Sequence, residues 1–256
     1  MSKLGLLITA FECEKELNEV LKPWIEYKNL HKDDIIISVV SLPFKQYVEL
    51  GVKQNNTLTV DRLRELKSQN IIQHLYYGNN ALEEWDARNL ALKPLLDEKC
   101  DLTWILDSQD EYYNCGQIDK ALRYIEKEDN QFCPVFKIEF KNFIGDKKHY
   151  IKGFRPNRIW RRKCGQFELN KFYYDNNCSF IDGEIEYKDE QLAYKTIPTN
   201  IINPKHFSWL SDQRSLNKIA FQHRRWNHCS LRLNNGKIDF CPEYHKKMSI
   251  PYPEIF

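Results

Sequence analysis

The sequence lacks several features that would have placed it quickly. No apolar run approaches the ~20 residues of a membrane span: the longest, around Leu4 to Ala10 and Ile35 to Val40, are strand-sized. No integral membrane segment is therefore expected. The first residues carry one Lys and a short apolar run that leads straight into Phe11-Glu12-Cys13-Glu14, which does not read as a signal peptide. Eight Cys are present, but no Cys-x-x-Cys occurs, so reduced thiols and a cytoplasmic setting are the expectation. There is no internal repeat, low-complexity tract or flexible linker, which makes the chain one compact unit. No Gly-rich, Lys- or Arg-bearing loop follows the first apolar run, which argues against a nucleotidyltransferase.

What is present is an ordinary globular composition. Hydrophobic residues make up 42% and charged residues 29% of 256 residues, enough length to bury a core. The net charge of +2 favours no class of partner. Aromatics reach 13%, which suits stacking surfaces or a carbohydrate site but equally reflects a coding bias.

Leu4 to Ala10 is nearly continuous in apolar residues, as a strand buried on both faces should be. A helix over Glu16 to Lys28 follows, with Leu17, Val20, Leu21, Trp24 and Ile25 on one face. Pro23 is expected to kink it or start a second helix. Ile35 to Val40 is a second buried strand, which completes the opening of a parallel βαβ unit. Ser41 to Asn56 reads as irregular. Further on come a short helix over Asp61 to Gln69 with Thr59 as its cap, a strand over Ile71 to Tyr77, a helix over Leu82 to Glu98 and a strand over Leu102 to Leu106. After Glu111 the pattern changes to a helix over Ile118 to Glu128. Two alternating strands, Val135 to Phe140 and Arg158 to Lys163, have the look of antiparallel pairing with one wet face. Thr196 to Ile202 reads as a strand, and Ser215 to Arg224 as a helical face. The fold class is α/β.

The stretch Asp86 to Glu111 organises the rest. A helix leads into a buried strand that ends abruptly in Asp107, Asp110 and Glu111. Open α/β sheets bind ligands at the carboxyl ends of their strands, and clustered oxygen donors there suit Mg²⁺ or Mn²⁺ bridging phosphates. The bland alternative is a solvated turn or helix cap.

Asp86-Ala87-Arg88-Asn89 followed by Trp104-Ile105-Leu106-Asp107-Ser108-Gln109-Asp110-Glu111 resembles the Ala-Arg-Asn and Asp-x-Asp elements of family-2-like glycosyltransferases of the GT-A fold. Thr9-Ala10-Phe11 with Glu12 and Glu14 resembles the family's opening nucleotide-binding segment. His206-Phe207-Ser208-Trp209 with Lys218 resembles a late His-x-x-Trp element. The resemblance implies a GT-A-like nucleotide-binding sheet flanked by helices, with a mixed or antiparallel acceptor-side extension. Residues 1–115 would form the nucleotide-sugar half and 116–256 the acceptor half of a single domain. It implies a hexosyltransferase type of enzyme that moves a sugar from a UDP- or GDP-linked donor to a glycan or other hydroxyl acceptor. The alternative is a non-catalytic glycan- or nucleotide-binding protein on the same scaffold.

The resemblance further implies site residues. Thr9, Ala10, Phe11, Glu12, Arg88, Asp107 and Lys218 would bind the nucleotide sugar. Asp107, Asp110 and His206 would hold Mn²⁺ or Mg²⁺. Arg88 suits phosphate because its planar fork makes paired charged hydrogen bonds. An inverting transferase also needs a base for the acceptor hydroxyl, and Asp182 and Glu184 are the candidates. Two departures stand out: the acids are spaced Asp-x-x-Asp-Glu, and the second strand lacks the acid that often holds the base or ribose.

Two other constellations are weighed lightly. His223, His228, Cys229, Cys241 and His245 lack the spacing of usual zinc modules. Arg155, Arg158, Arg161, Arg162 and Lys163, interleaved with aromatics, could suggest nucleic acid. Alternation along a strand already explains them as a wet face, so no nucleic acid partner is expected.

Overall fold

The computed structural model describes residues 2–31, 35–49, 51, 55–107, 110–165, 167–174, 180–181, 194–210, 219, 231–234 and 237–240. Asp182, Glu184 and Lys218 lie outside the described residues. So do nearly all of the Ser215 to Arg224 helix, the His/Cys constellation and the tail from Pro242.

Strand β1 (Leu4–Thr9), helix α1 (Glu14–Leu30) and strand β2 (Ile35–Ser41) form the opening βαβ unit. Two helices follow, α2 (Lys45–Glu49) and α3 (Thr57–Ser68), then β3 (His74–Tyr77), α4 (Glu84–Asp97) and β4 (Leu102–Asp107). The second half contributes β5 (Glu111–Tyr112), α5 (Cys115–Ile125), β6 (Val135–Ile138), β7 (Phe140–Gly145), β8 (Tyr150–Phe154) and β9 (Asn157–Arg161). Three small pairs and two longer strands complete it: β10 (Lys163–Cys164) with β11 (Phe167–Glu168), β12 (Tyr173–Tyr174) with β13 (Phe180–Ile181), β14 (Tyr194–Ile197), β15 (Lys205–Leu210), and β16 (Leu231–Asn234) with β17 (Lys237–Phe240).

The main sheet has the order β14-β6-β9-β4-β1-β2-β3. β1 pairs parallel with both β2 and β4, and β2 with β3. β9 runs antiparallel between β4 and β6, so β6 and β4 point the same way, and β14 pairs parallel with β6. The second half therefore adds three strands to the first half's sheet. A second sheet, β5-β15-β7-β8, continues from the end of β6. This is the expected helix-flanked α/β sheet with a mixed extension.

Two apolar layers cover the main sheet. One holds Leu17, Val20, Leu21 and Trp24 of α1 together with Leu63, Leu66, Ile118 and Leu122. In it Trp24, Trp104 and Tyr113 meet edge to face at 4.9–5.5 Å, an arrangement that contributes beyond area burial. On the other layer α4 presents Ala87, Ala91 and Leu95 at four-residue spacing. Small Ala side chains bring the helix close: a Cβ on Gly5 would lie 2.9 Å from Leu95 Cδ1.

Several local expectations are corrected. No second helix starts at Pro23, which is buried within a continuous α1; packing of its apolar face outweighs the lost hydrogen bond. The region after Ser41 is not wholly irregular, since α2 forms there. Thr59 is not a cap but lies inside α3, where its Oγ1 accepts from the Cys13 backbone N–H at 2.9 Å. Among the described residues no helix is long and apolar enough to cross a membrane.

Candidate active site

β4 is buried from Leu102 to Leu106 and emerges at Asp107. Its apolar residues lock the strand into the sheet, and its period of two aims Asp107 at the α4 face. There Arg88, in the second turn of α4, donates from Nη2 to Asp107 Oδ1 at 3.0 Å and to Glu84 at 2.7 Å. Thr9, at the matching end of β1, donates from Oγ1 to the same Asp107 Oδ1 at 3.0 Å. The other carboxylate oxygen, Oδ2, accepts from Arg158 Nη2 at 3.1 Å.

Arg158 comes from β9. Ile159 pairs with Phe136 and Asn157 with Lys137, so Arg158 is the extra residue of a β-bulge. Bulges re-aim side chains, and this one turns Arg158 inward, 5% exposed. Its Nε donates to Glu111 Oε1 at 2.7 Å, and Nη2 also donates to that oxygen. Tyr113 Oη donates to Glu111 Oε2 at 3.0 Å. The wet-face reading of this strand is thus wrong at Arg158, whose charge is matched by two carboxylates. It is also wrong at Arg161, whose guanidinium donates to the carbonyls of Cys133, Ile125 and Asn130.

The electrostatics follow from burial. Desolvation pushes the Glu111 carboxyl up to about 7, against the pull of Arg158. Burial works against the charge on Arg158 as well, but Glu111 and Asp107 outweigh it and hold the guanidinium above its usual range. Burial likewise raises Tyr113 well above the ordinary phenol.

Asp110 is 8% exposed. Its N–H donates to the Asp107 carbonyl at 3.2 Å, and its own carbonyl accepts from Phe207 N–H at 2.8 Å. This places the start of β15 beside the acidic motif. His206 stands opposite Glu111 in the β5–β15 register. It is 4% exposed, packs on Phe140 and Phe154, and pairs through Nδ1 with Asn142 Oδ1 at 2.7 Å.

Of the expected nucleotide residues, Thr9, Arg88 and Asp107 meet directly. Ala10 is buried, with its N–H on the Val40 carbonyl at 3.0 Å. Phe11 is partly buried. Glu12 follows at a backbone φ of +48°, in the left-handed region that non-glycine residues seldom adopt. Its N–H donates to Asn56 Oδ1 at 2.9 Å, and its carboxylate accepts from Asn55 N–H. Asn56 in turn donates to Ser41 Oγ at 2.9 Å. The ends of β1 and β2 are thereby tied through Asn56 where the second strand lacks an acid.

Sequence reasoning missed the site role of Arg158. Its one signal was an arginine at the head of a strand otherwise facing a core. It also passed over Asn89, whose side-chain amide donates to the Phe172 carbonyl and accepts from the Phe172 N–H, both at 2.6 Å. That pair docks the 167–172 segment onto α4.

The donor set bears on a divalent cation. Among the described residues the crest gathers the acids Glu84, Asp107, Asp110 and Glu111 with the arginines Arg88 and Arg158. Yet among the described residues no three His, Cys, Asp or Glu side chains are grouped so as to hold an ion. Glu111 is wholly buried and spent on Arg158 and Tyr113. Two further carboxylates at the crest are Asp110 and Asp107, the latter with two oxygens that accept from Thr9, Arg88 and Arg158.

No family model matches the chain, and no curated protein matches it. Solved structures with a similar outline include S. aureus TarS 1-349, which is 19% identical at a TM-score of 0.41, over 62% of this chain and 47% of that one. The chain thus spans about half the length of that protein. TarS 1-349 in complex with UDP matches at 15% identity and a TM-score of 0.43, over 88% of this chain and 72% of that one. A protein provisionally named a nucleotide-diphospho-sugar transferase, from Desulfovibrio desulfuricans G20, matches at 14% identity and a TM-score of 0.37, over 88% and 91%.

Proposed function

We propose that the chain is a GT-A-like glycosyltransferase. It would transfer a hexose from a UDP- or GDP-linked donor to a glycan hydroxyl. One observation carries the reading. Asp107 and Asp110 stand with Arg88 and Thr9 at the carboxyl ends of parallel strands β1 and β4, the crest where an open α/β sheet receives its ligand. The nucleoside would lie along the ends of β1 and β2, between Ala10, Phe11 and Glu12, and the diphosphate would lie toward Asp107.

Asp107 and Asp110 would hold Mn²⁺ or Mg²⁺ together with the diphosphate. A bound divalent cation supplies Lewis-acid neutralisation of the charge that grows on the departing diphosphate. The chain's own residues do the rest. Thr9 and Arg88 fix Asp107 in orientation, Arg158 ties it to the buried Glu111, and Arg88 brings positive charge to the edge of the diphosphate site. His206, packed opposite Glu111, would support the floor on the acceptor side.

Thermal unfolding with UDP- and GDP-sugars, each with and without Mn²⁺, tests this. A nucleotide at a hundred times its Kd adds about 2.7 kcal/mol to stability, and the rise is expected only when metal and nucleotide are both present. Stabilisation by a glycan alone, with none from any nucleotide, would instead identify a glycan-binding protein.

A further inference from the structure

The sheet register brings a second carboxylate to the same crest. On β4 Trp104 pairs with Ile159 of β9, and on β6 Phe136 pairs with the same Ile159. Three residues beyond Trp104 is Asp107, and three residues beyond Phe136 is Glu139. β4 and β6 run the same way, and the bulge at Arg158 shifts β6 by one residue past Phe136, so Glu139 emerges about one residue beyond the height of Asp107. They lie two strand spacings apart, roughly 10 Å at about 4.8 Å per strand.

Alternation puts them on the same face as well. Phe136 and Ile138 enter the layer formed by α1 and α5, so Glu139, like Lys137, turns toward the α4 face where Asp107 meets Arg88. Glu139 is 7% exposed. Among the described residues its carboxylate has one side-chain partner, Arg155, whose Nε donates to Oε2 at 2.5 Å. Arg155 is 52% exposed in its side chain. The Glu139 backbone is fixed by Asn203, whose side chain donates to its carbonyl at 3.1 Å.

We propose that Glu139 is the general base for the acceptor hydroxyl, which rests on the glycosyltransferase reading above. The two carboxylates are separated across the sheet by strand β9, roughly 10 Å at the backbone. As the acceptor oxygen forms its bond to the anomeric carbon, its proton passes to Glu139 Oε1. The bond from the anomeric carbon to the diphosphate oxygen breaks, and its electron pair leaves with the nucleoside diphosphate. Arg155 holds Oε2. The reaction is an inverting, single-displacement transfer. Water is the simplest acceptor the same base would activate.

The test measures nucleotide release from UDP-glucose, UDP-N-acetylglucosamine and GDP-mannose with Mn²⁺, with water as acceptor. UDP affinity is measured alongside by titration. Glu139→Gln, which keeps the shape and the Arg155 contact, is expected to lower turnover by about 10²- to 10⁴-fold, the usual contribution of a general base. UDP affinity should stay within about threefold of the unaltered chain, and Glu139→Asp should retain an intermediate rate. Turnover of Glu139→Gln within about threefold of the unaltered chain overturns the proposal, and so does a matching loss of UDP affinity. An unaltered chain that binds neither UDP nor GDP overturns the nucleotide-sugar reading itself. One that binds UDP but releases nucleotide from no donor leaves a binder with no base to assign.

Discussion

Two carboxylates at one crest of the sheet are treated in opposite ways. Asp107 receives three donors from three elements: Thr9 of β1, Arg88 of α4 and Arg158 of β9. Glu139, two strands away, receives one half-exposed arginine from the residues just before β9. The first is immobilised from every side, as a group must be that fixes the position of a ligand's charge. The second is placed but lightly held, as a group must be that exchanges partners with a substrate. Burial separates their arginines too. Arg158 has lost its water and depends on its carboxylates, whereas Arg155 has not.

The largest expected effect breaks the tightly held side. Arg158→Met leaves Glu111 buried without its cation, and removing one partner of a buried pair costs about 3–5 kcal/mol. Urea denaturation should show that loss, and the Arg158→Met/Glu111→Gln pair should recover part of it. A pH dependence sharpens the same side. Glu111 is raised to about 7 in the folded chain by burial and lies near 4.3 when unfolded. The folded state therefore binds the extra proton. This group's contribution is fully present below about pH 4.3 and is lost as pH rises to 7. The fall in stability between pH 5 and pH 7.5 should be smaller in Glu111→Gln than in the unaltered chain; equal falls would contradict the assignment. The smallest effect is on the lightly held side. Arg155→Met removes a half-exposed partner of a buried carboxylate and should cost less than Arg158→Met, whose arginine is itself buried. A loss near that of Arg158→Met would erase the contrast.

The same contrast explains what was legible in the sequence. β1, β2 and β4 were plain because strands buried on both faces are nearly continuous in apolar residues, and Asp107 was plain because it ends such a run. α4 was plain from its leucines and alanines. Arg158 and Glu139 were not. The period of two makes Arg158 look wet, and only the bulge against β6, an element about twenty residues earlier in the chain, turns it inward. Glu139 sits between Ile138 and Phe140 in what reads as one alternating strand, so it passes for a solvent-facing residue. Its position near Asp107 depends on β9 being inserted antiparallel between β4 and β6. Thr59 was misread for a related reason: its hydroxyl serves a backbone group 46 residues away, not its own helix end. Long-range pairings decide these roles, and local patterns do not encode them.

The crest at Asp107 and Asp110 should bind a nucleoside diphosphate together with a divalent cation. Calorimetric titration of UDP and GDP into the unaltered chain and into Asp110→Asn, each with and without Mn²⁺, tests it most directly. One of the two nucleotides is expected to bind the unaltered chain, its affinity to fall at least tenfold without Mn²⁺, and Asp110→Asn to remove the metal dependence. Nucleotide binding of equal strength in all four conditions would contradict it.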